Sequence, residues 1–131
     1  MKERASQPMT TAGYERLLHA NLVRVFGERN RARRQAAIAE LYAPDAVLYE
    51  PATVATGHAA IDEAVETLLT HLPPAFVFTA QGPVVGHHGV ARLRWAAGPV
   101  DGPVAVTGTD VAHVVDGHIQ SLYVLLDPAG K

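Results

Sequence analysis

Val104–Val115 is a long apolar stretch rich in β-branched residues, and a single carboxylate, Asp110, stands in its middle. An acid inside a strand that otherwise reads as core is costly unless it is paired, hydrogen-bonded or used in chemistry. The expectation is that Asp110 faces a cavity. Other residue types with chemical potential are poorly placed. His87-His88 are adjacent in a turn, where two imidazoles rarely hold one ion, and no acid stands at a supporting spacing. Ser121 has no recognisable base or nucleophile elbow around it. No glycine-rich segment opens a helix in the way a phosphate loop requires. The sequence has no cysteine, which excludes disulfides, thiolate metal sites and a cysteine nucleophile. No metal and no cofactor is therefore expected.

The elements that must position Asp110 follow from hydrophobic periodicity. Thr10 or Thr11 caps a first helix in which Tyr14, Leu17, Leu18, Leu22, Val25 and Phe26 recur at helical spacing to about Glu28. Asn21 falls inside that apolar stripe, as a satisfied buried amide or as a ligand contact. His19 lies at the stripe's edge and reads as surface. The charge run Arg29–Arg34 reads as a solvated connection rather than a phosphate site, because nothing else nearby is basic or aromatic. A short second helix carries Ile38, Leu41 and Tyr42 on one side, and Ala43-Pro44-Asp45 ends it. Ala46–Glu50 is a strand whose parity puts Leu48 and Glu50 on one face, and Pro51 holds Glu50 extended. A third helix spans about His58 to His71, until Pro73-Pro74 stops it.

From Ala75 the period changes to two. Strands are expected at Phe76–Ala80, around Val84-Val85, at Val90–Ala96, at Val104–Val115 and at His118–Leu126, with Asp116-Gly117 as a two-residue hairpin turn. The class is α+β: a curved, mostly antiparallel sheet wrapped around three N-terminal helices, with a cone-shaped cavity between them. Residues 1–9 are expected to be a loose arm and 10–127 a single domain.

The totals bound partners. With 48% apolar and 18% charged residues the chain reads as globular, and its formal charge of −2 gives no reason to expect nucleic acid or an anionic membrane. No apolar run is long enough to span a bilayer and the start lacks a signal-peptide core, so a cytoplasmic location is expected.

Leu41–Val47, Gly57–Ile61, Val90–Trp95, Gly108–Val111 and Asp116–Ile119 together make the chain similar, over about Tyr14 to Asp127, to the SnoaL-like proteins of the nuclear transport factor 2-like superfamily. That group includes polyketide cyclases and sits beside ketosteroid isomerases. The resemblance implies a cavity with two acid–base groups. Glu50, before Pro51, matches the place where ketosteroid isomerases keep a general base. Asp110 matches their protonated oxyanion donor and the acid–base aspartate of the cyclases. The physical reading agrees: an acid on an apolar wall is pushed toward its protonated donor form, while one at a wetter rim stays ionised as a base. The structural alternative makes Glu50 an ordinary strand-end residue and Asp110 a buried acid bonded to a residue such as Asn21.

Substrate-binding positions expected on the helical side are Asn21, Leu22, Tyr42 and Leu48. On the sheet they are Leu93, Trp95, Ala112 and Val124, with Gly108 and Ala112 leaving room for a ligand beside Asp110. Two departures narrow the chemistry. The first helix has Asn21-Leu22-Val23 where ketosteroid isomerases place a tyrosine, with Tyr14 about two turns earlier. Limonene epoxide hydrolases of this fold carry an arginine where this chain has Gly108. The expected activity is an acid–base isomerase, cyclase or hydro-lyase acting on a small hydrophobic carbonyl compound. The alternatives are a non-catalytic protein binding a small ligand in the same cavity and, more remotely, a protein-interaction module. Arg92, Arg94, His113 and Tyr123 fall on the outer sheet face by parity, and the resemblance implies a homodimer through it.

Overall fold

The computed structural model describes residues 9–128. Of the expected arm, residues 1–8 lie outside the described residues. Met9 packs against the core, close to Gly13.

Helix α1 (Thr11–Ala20) begins where Thr10 accepts a hydrogen bond from the Gly13 N–H at 3.0 Å. The stripe continues, but the backbone changes: Asn21–Phe26 is a π-helical segment, and the Gly27 N–H reaches back five residues to Leu22 O at 2.9 Å. Such widened turns cluster at functional sites because they re-aim side chains. Side-chain periodicity carries little trace of one.

Helix α2 (Arg31–Leu41) corrects the reading of the charge run. Asn30 caps it by accepting from the Arg33 N–H at 2.9 Å, so Arg31–Arg34 form its first turn. Arg34, Ala37, Ile38 and Leu41 share its buried face, and Arg34 is fully buried. Burial is possible because α3 (His58–Thr70) faces it with Asp62 and Glu66.

Among the described residues seven strands form one sheet: β1 (Tyr42–Tyr49), β2 (Val54–Thr56), β3 (Phe76–Ala80), β4 (Val85–His87), β5 (Val90–Pro99), β6 (Val106–Val115) and β7 (His118–Leu126). Their order is β2-β1-β7-β6-β5-β3. β3 and β4 share one edge of β5, along Trp95–Pro99 and Val90–Arg92 respectively. All pairings are antiparallel except β1 with β7. β1 begins earlier than expected, directly at the end of α2, and its register with β7 shifts between Tyr42 and Val47. Pro44 lies in that interval and has no N–H to give the ladder. β2 falls in a stretch for which no strand was expected: Glu50 and Thr53 exchange backbone hydrogen bonds at 2.9 and 3.2 Å, closing a tight hairpin over Pro51-Ala52. The β6–β7 turn has positive φ at both Asp116 (52°) and Gly117 (80°), as a two-residue hairpin of the twist-compatible type requires.

The helices cover one face of the sheet. Tyr14, Leu18, Leu22, Val25 and Ile38 pack with Ala91, Leu93, Ala112 and Leu122 in one cluster. The α+β class expected from the sequence is the class observed. Arg92, Arg94, His113 and Tyr123 are exposed on the opposite face. No helix among the described residues is long and apolar enough to cross a membrane.

Candidate functional site

Between the helices and one end of the sheet lies a cavity of about 360 Å³. The π-helical segment contributes Leu22 and Phe26, and the end of α3 contributes Leu68 with Leu72 just beyond it. β3 adds Phe76 and Phe78, β5 adds Trp95 and Ala97, and β7 adds Val124 and Leu126. Against this apolar wall stand two carboxylic acids, Asp110 from β6 and Glu50 from the β1–β2 hairpin. Phe26, Phe78 and Trp95 form an aromatic run, with ring centroids 6.4 and 5.7 Å apart.

Of the residues anticipated at the site, Asp110, Glu50, Leu22, Trp95 and Val124 line the cavity together. The other five are buried but do not line it. Leu48, Leu93 and Ala112 lie in the core, and Asn21 pairs with Tyr42, whose hydroxyl donates to Asn21 Oδ1 at 2.5 Å. Asn21 therefore satisfies Tyr42 and not Asp110. Gly108 does not leave space for a ligand. A Cβ there would stand 2.5 Å from Trp95 Cζ2, so the indole occupies that space. Tyr14 is also committed elsewhere, its hydroxyl accepting the Gly89 N–H at 2.7 Å. His19 is half-buried rather than on the surface, and its Nε2 has no hydrogen-bond partner among the described residues. The wall residues missed by sequence reading include Phe26, Leu68, Leu72, Phe76 and Phe78, with Ala97 and Leu126 beside them. Phe76 and Phe78 share strand parity, and Leu68 and Leu72 are one helical turn apart, so a signal was present.

Asp110 is 4% exposed. Burial pushes its carboxyl up from the ordinary 3.8 to about 7. The Trp95 indole N–H, 2.9 Å from Oδ1, pulls in the opposite direction, and the nearby Glu50 charge raises it further. Glu50 is half-buried, and burial also raises its carboxyl, opposed by the Thr53 hydroxyl that donates to Oε1 at 3.2 Å. It is thus a drier and more basic carboxylate than a fully wetted rim residue. Tyr42 is driven well above the ordinary phenol range, first by burial and then by the charges of Asp110 and Glu50. The arrangement offers a buried acid inclined to hold its proton, a second carboxylate able to take one, and apolar walls that strengthen both interactions.

Among the described residues no group of three or more His, Asp or Glu side chains is placed to hold a metal ion.

No curated protein matches the sequence. Solved structures similar to this fold include a "putative isomerase of the SnoaL-like family" from Agrobacterium tumefaciens (22% identity, 89% of this chain and 99% of that one, TM-score 0.83). A "putative ketosteroid isomerase" from Kribbella flavida is 17% identical over 92% of this chain and 82% of its own, with a TM-score of 0.68. A "putative polyketide cyclase" from Sinorhizobium meliloti is 17% identical over 88% of this chain and 99% of its own, with a TM-score of 0.66. At these identities the likeness is one of fold. The SnoaL-like domain family matches residues 21–122, from the π-helical segment into β7. On that match, the chain belongs to the SnoaL-like domain family.

Proposed function

We propose that this protein is an acid–base enzyme of the isomerase, cyclase or hydro-lyase type acting on a small, uncharged, hydrophobic carbonyl compound. The observation that carries this reading is the pairing of Asp110 and Glu50 on an otherwise apolar cavity wall. Glu50 takes a proton from the carbon next to the substrate carbonyl. Asp110, neutral at its raised pKa, donates a hydrogen bond to the carbonyl oxygen and stabilises the enolate that forms. Positioned groups of this kind each contribute roughly 10²–10⁴-fold. The names borne by the structural neighbours, isomerase and cyclase, support the same class of chemistry.

The cavity volume lies near the lower end of the ~300–1,000 Å³ range typical of small-molecule sites. Among the described residues no Lys, Arg or His lines it, so none of them compensates an anion there. A thermal-shift panel of neutral hydrophobic ketones and lactones, run beside their carboxylate analogues at pH 6, where Asp110 keeps its proton, checks this. The expected result is stabilisation by neutral members only, followed by conversion of at least one of them. Stabilisation without any conversion favours a non-catalytic binding protein instead. Stabilisation by the anions refutes the assignment of the site.

The partner proposed for the outer sheet face is a second copy of the chain. Tyr123 is 43% exposed there and stacks on Tyr49 at 4.5 Å with an 8° interplanar angle, beside exposed Arg92, Arg94 and His113. Sedimentation at micromolar concentration is expected to give a dimer mass that Tyr123→Glu reduces to a monomer. A monomer mass for the unaltered chain refutes the dimer.

A further inference from the structure

We propose that Trp95 is a positioning residue for Asp110: its indole N–H occupies Oδ1, which assigns the acidic proton to Oδ2, the oxygen left to meet the ligand. The inference rests on the acid–base reading of the cavity and deepens it by naming which atom of Asp110 acts.

The register of β5 against β6 sets this up. Trp95 pairs directly with Gly108, and Asp110, which pairs with Leu93, is its diagonal neighbour on the same face. A diagonal neighbour two residues on is within reach of a long aromatic side chain but not of a short one. Gly108 lets the indole lie across the strand. A Cβ at 108 would meet Cζ2 at 2.5 Å, Cε2 at 3.0 Å and the Leu125 carbonyl at 2.7 Å. Phe78 packs against the ring at a centroid distance of 5.7 Å and a 60° tilt. The ring is thus confined, and its Nε1 reaches Asp110 Oδ1 at 2.9 Å in a buried hydrogen bond.

An indole N–H can only donate. The carbonyl oxygen of a neutral carboxyl is a better acceptor than its hydroxyl oxygen, so Oδ1 takes the carbonyl role and the proton of a neutral Asp110 is carried on Oδ2. No residue hydrogen-bonds to Oδ2 among the described residues, and Asp110 lines the cavity. The ligand atom that fits there is an uncharged acceptor, as a carbonyl oxygen is. The ionisable groups around Asp110 are Glu50 and Tyr42, both reached through β1, and the Tyr42 hydroxyl is engaged by Asn21. The helical layer presents Leu22, Phe26, Leu68 and Leu72, and β3 and β7 present Phe78 and Val124. Glu50 is therefore the one carboxylate whose ionisation bears on it directly.

Trp95 is the sole tryptophan of the chain, so its fluorescence reads this contact without any substrate. The emission of the full chain is expected to titrate with a midpoint near pH 7, and that transition is expected to disappear in Asp110→Asn. In Glu50→Gln the midpoint moves down, because a charge that raises it is gone. In Trp95→Phe, carboxyl NMR of labelled aspartate is expected to place Asp110 higher by about one pH unit or more, the worth of a hydrogen bond to a charged group. Emission that is flat with pH, or that titrates identically in Asp110→Asn, overturns the proposal. So does an unmoved Asp110 in Trp95→Phe. Should Trp95→Phe not fold, the fluorescence comparison still decides. A flat emission together with lost turnover in Asp110→Asn overturns the positioning role alone. A titrating emission with unimpaired turnover in Asp110→Asn overturns the catalytic reading alone.

Discussion

Asp110→Asn is expected to lower turnover of any converted ligand by up to about 10²–10³-fold, because its amide N–H at the Oδ2 position is a weaker donor than the acid O–H, while raising the thermal midpoint at neutral and alkaline pH. The two effects share one cause. Burial holds the Asp110 carboxyl at about 7, against an ordinary 3.8. Between those values the native chain binds a proton that the unfolded chain has released, so stability falls as pH rises across that window. Below it both states are protonated and no penalty remains. Above it the penalty is complete and on the order of 4 kcal/mol, taking 1.36 kcal/mol per pH unit as the conversion. Asparagine cannot ionise, and its Oδ1 can still accept the Trp95 N–H, so the variant escapes the penalty and keeps the contact. Melting curves of both proteins should therefore diverge from about pH 5 upward and converge below pH 4. Glu50→Gln is expected to lose activity on the same scale, through loss of the base, and the rate–pH profile loses its acid limb. Undiminished turnover in both variants, with a substrate already shown to be converted, removes the acid–base assignment. A lower midpoint for Asp110→Asn at every pH removes the account of the buried acid.

That site was legible because it violates the pattern around it. A carboxylate among β-branched residues stands out whatever the fold, and Asp116-Gly117 marked where its strand ends. The resemblance supplied Glu50, which composition alone does not distinguish from any acid before a proline. What the sequence concealed was depth. Strand parity correctly puts Gly108, Asp110 and Ala112 on the inner face, but parity says nothing of what fills the space beside a glycine. Trp95 fills it, and Ala112 lies deeper in the core, so neither leaves room for a ligand. Tyr42, Leu48 and Leu93 share that fate: each faces inward, and the cavity occupies only one end of the interior. The π-helical segment was concealed for a different reason. It changes the hydrogen-bond partner of the backbone while leaving the apolar stripe nearly in phase, and periodicity reports only the stripe.

Arg34 was the deepest misreading, and its replacement carries the largest expected effect on stability. Arg34→Met is expected to destabilise the fold by about 3–5 kcal/mol, the usual cost of removing one partner from a buried ion pair. Its guanidinium is fully buried, with Nε donating to Asp62 Oδ1 at 2.8 Å, Nη1 to the Glu28 carbonyl at 2.8 Å and Nη2 to Glu66. Methionine fills much of the volume but leaves Asp62, 2% exposed, with only Arg31 Nε at 2.8 Å and Gln35 Nε2 at 3.1 Å. Arg34→Lys retains the charge but not the fork, so it should fall between the two. Arg31→Ala should cost less, because buried Asp62 keeps Arg34 and because the Arg31–Glu63 pair is exposed, a kind worth roughly 0–1 kcal/mol. The pH dependence distinguishes an electrostatic cause from lost packing. Burial pushes Asp62 up, but hydrogen bonds from Arg34, Arg31 and Gln35 outweigh it and hold the carboxyl below its ordinary value. A carboxylate depressed in the native state adds stability that is present above its unfolded pKa and disappears as pH falls through the folded value. Without Arg34 the burial effect gains on the remaining hydrogen bonds, the depression shrinks, and this acid-dependent part of the stability should weaken. Denaturant unfolding at pH 7 and pH 3 measures both quantities. The gap between wild type and Arg34→Met should be narrower at pH 3 than at pH 7. A gap of the same size at both pH values would instead assign the loss to packing of the arginine stem against Ala37 and Ile38, and the α2–α3 ion pairs would then be geometry without electrostatic consequence.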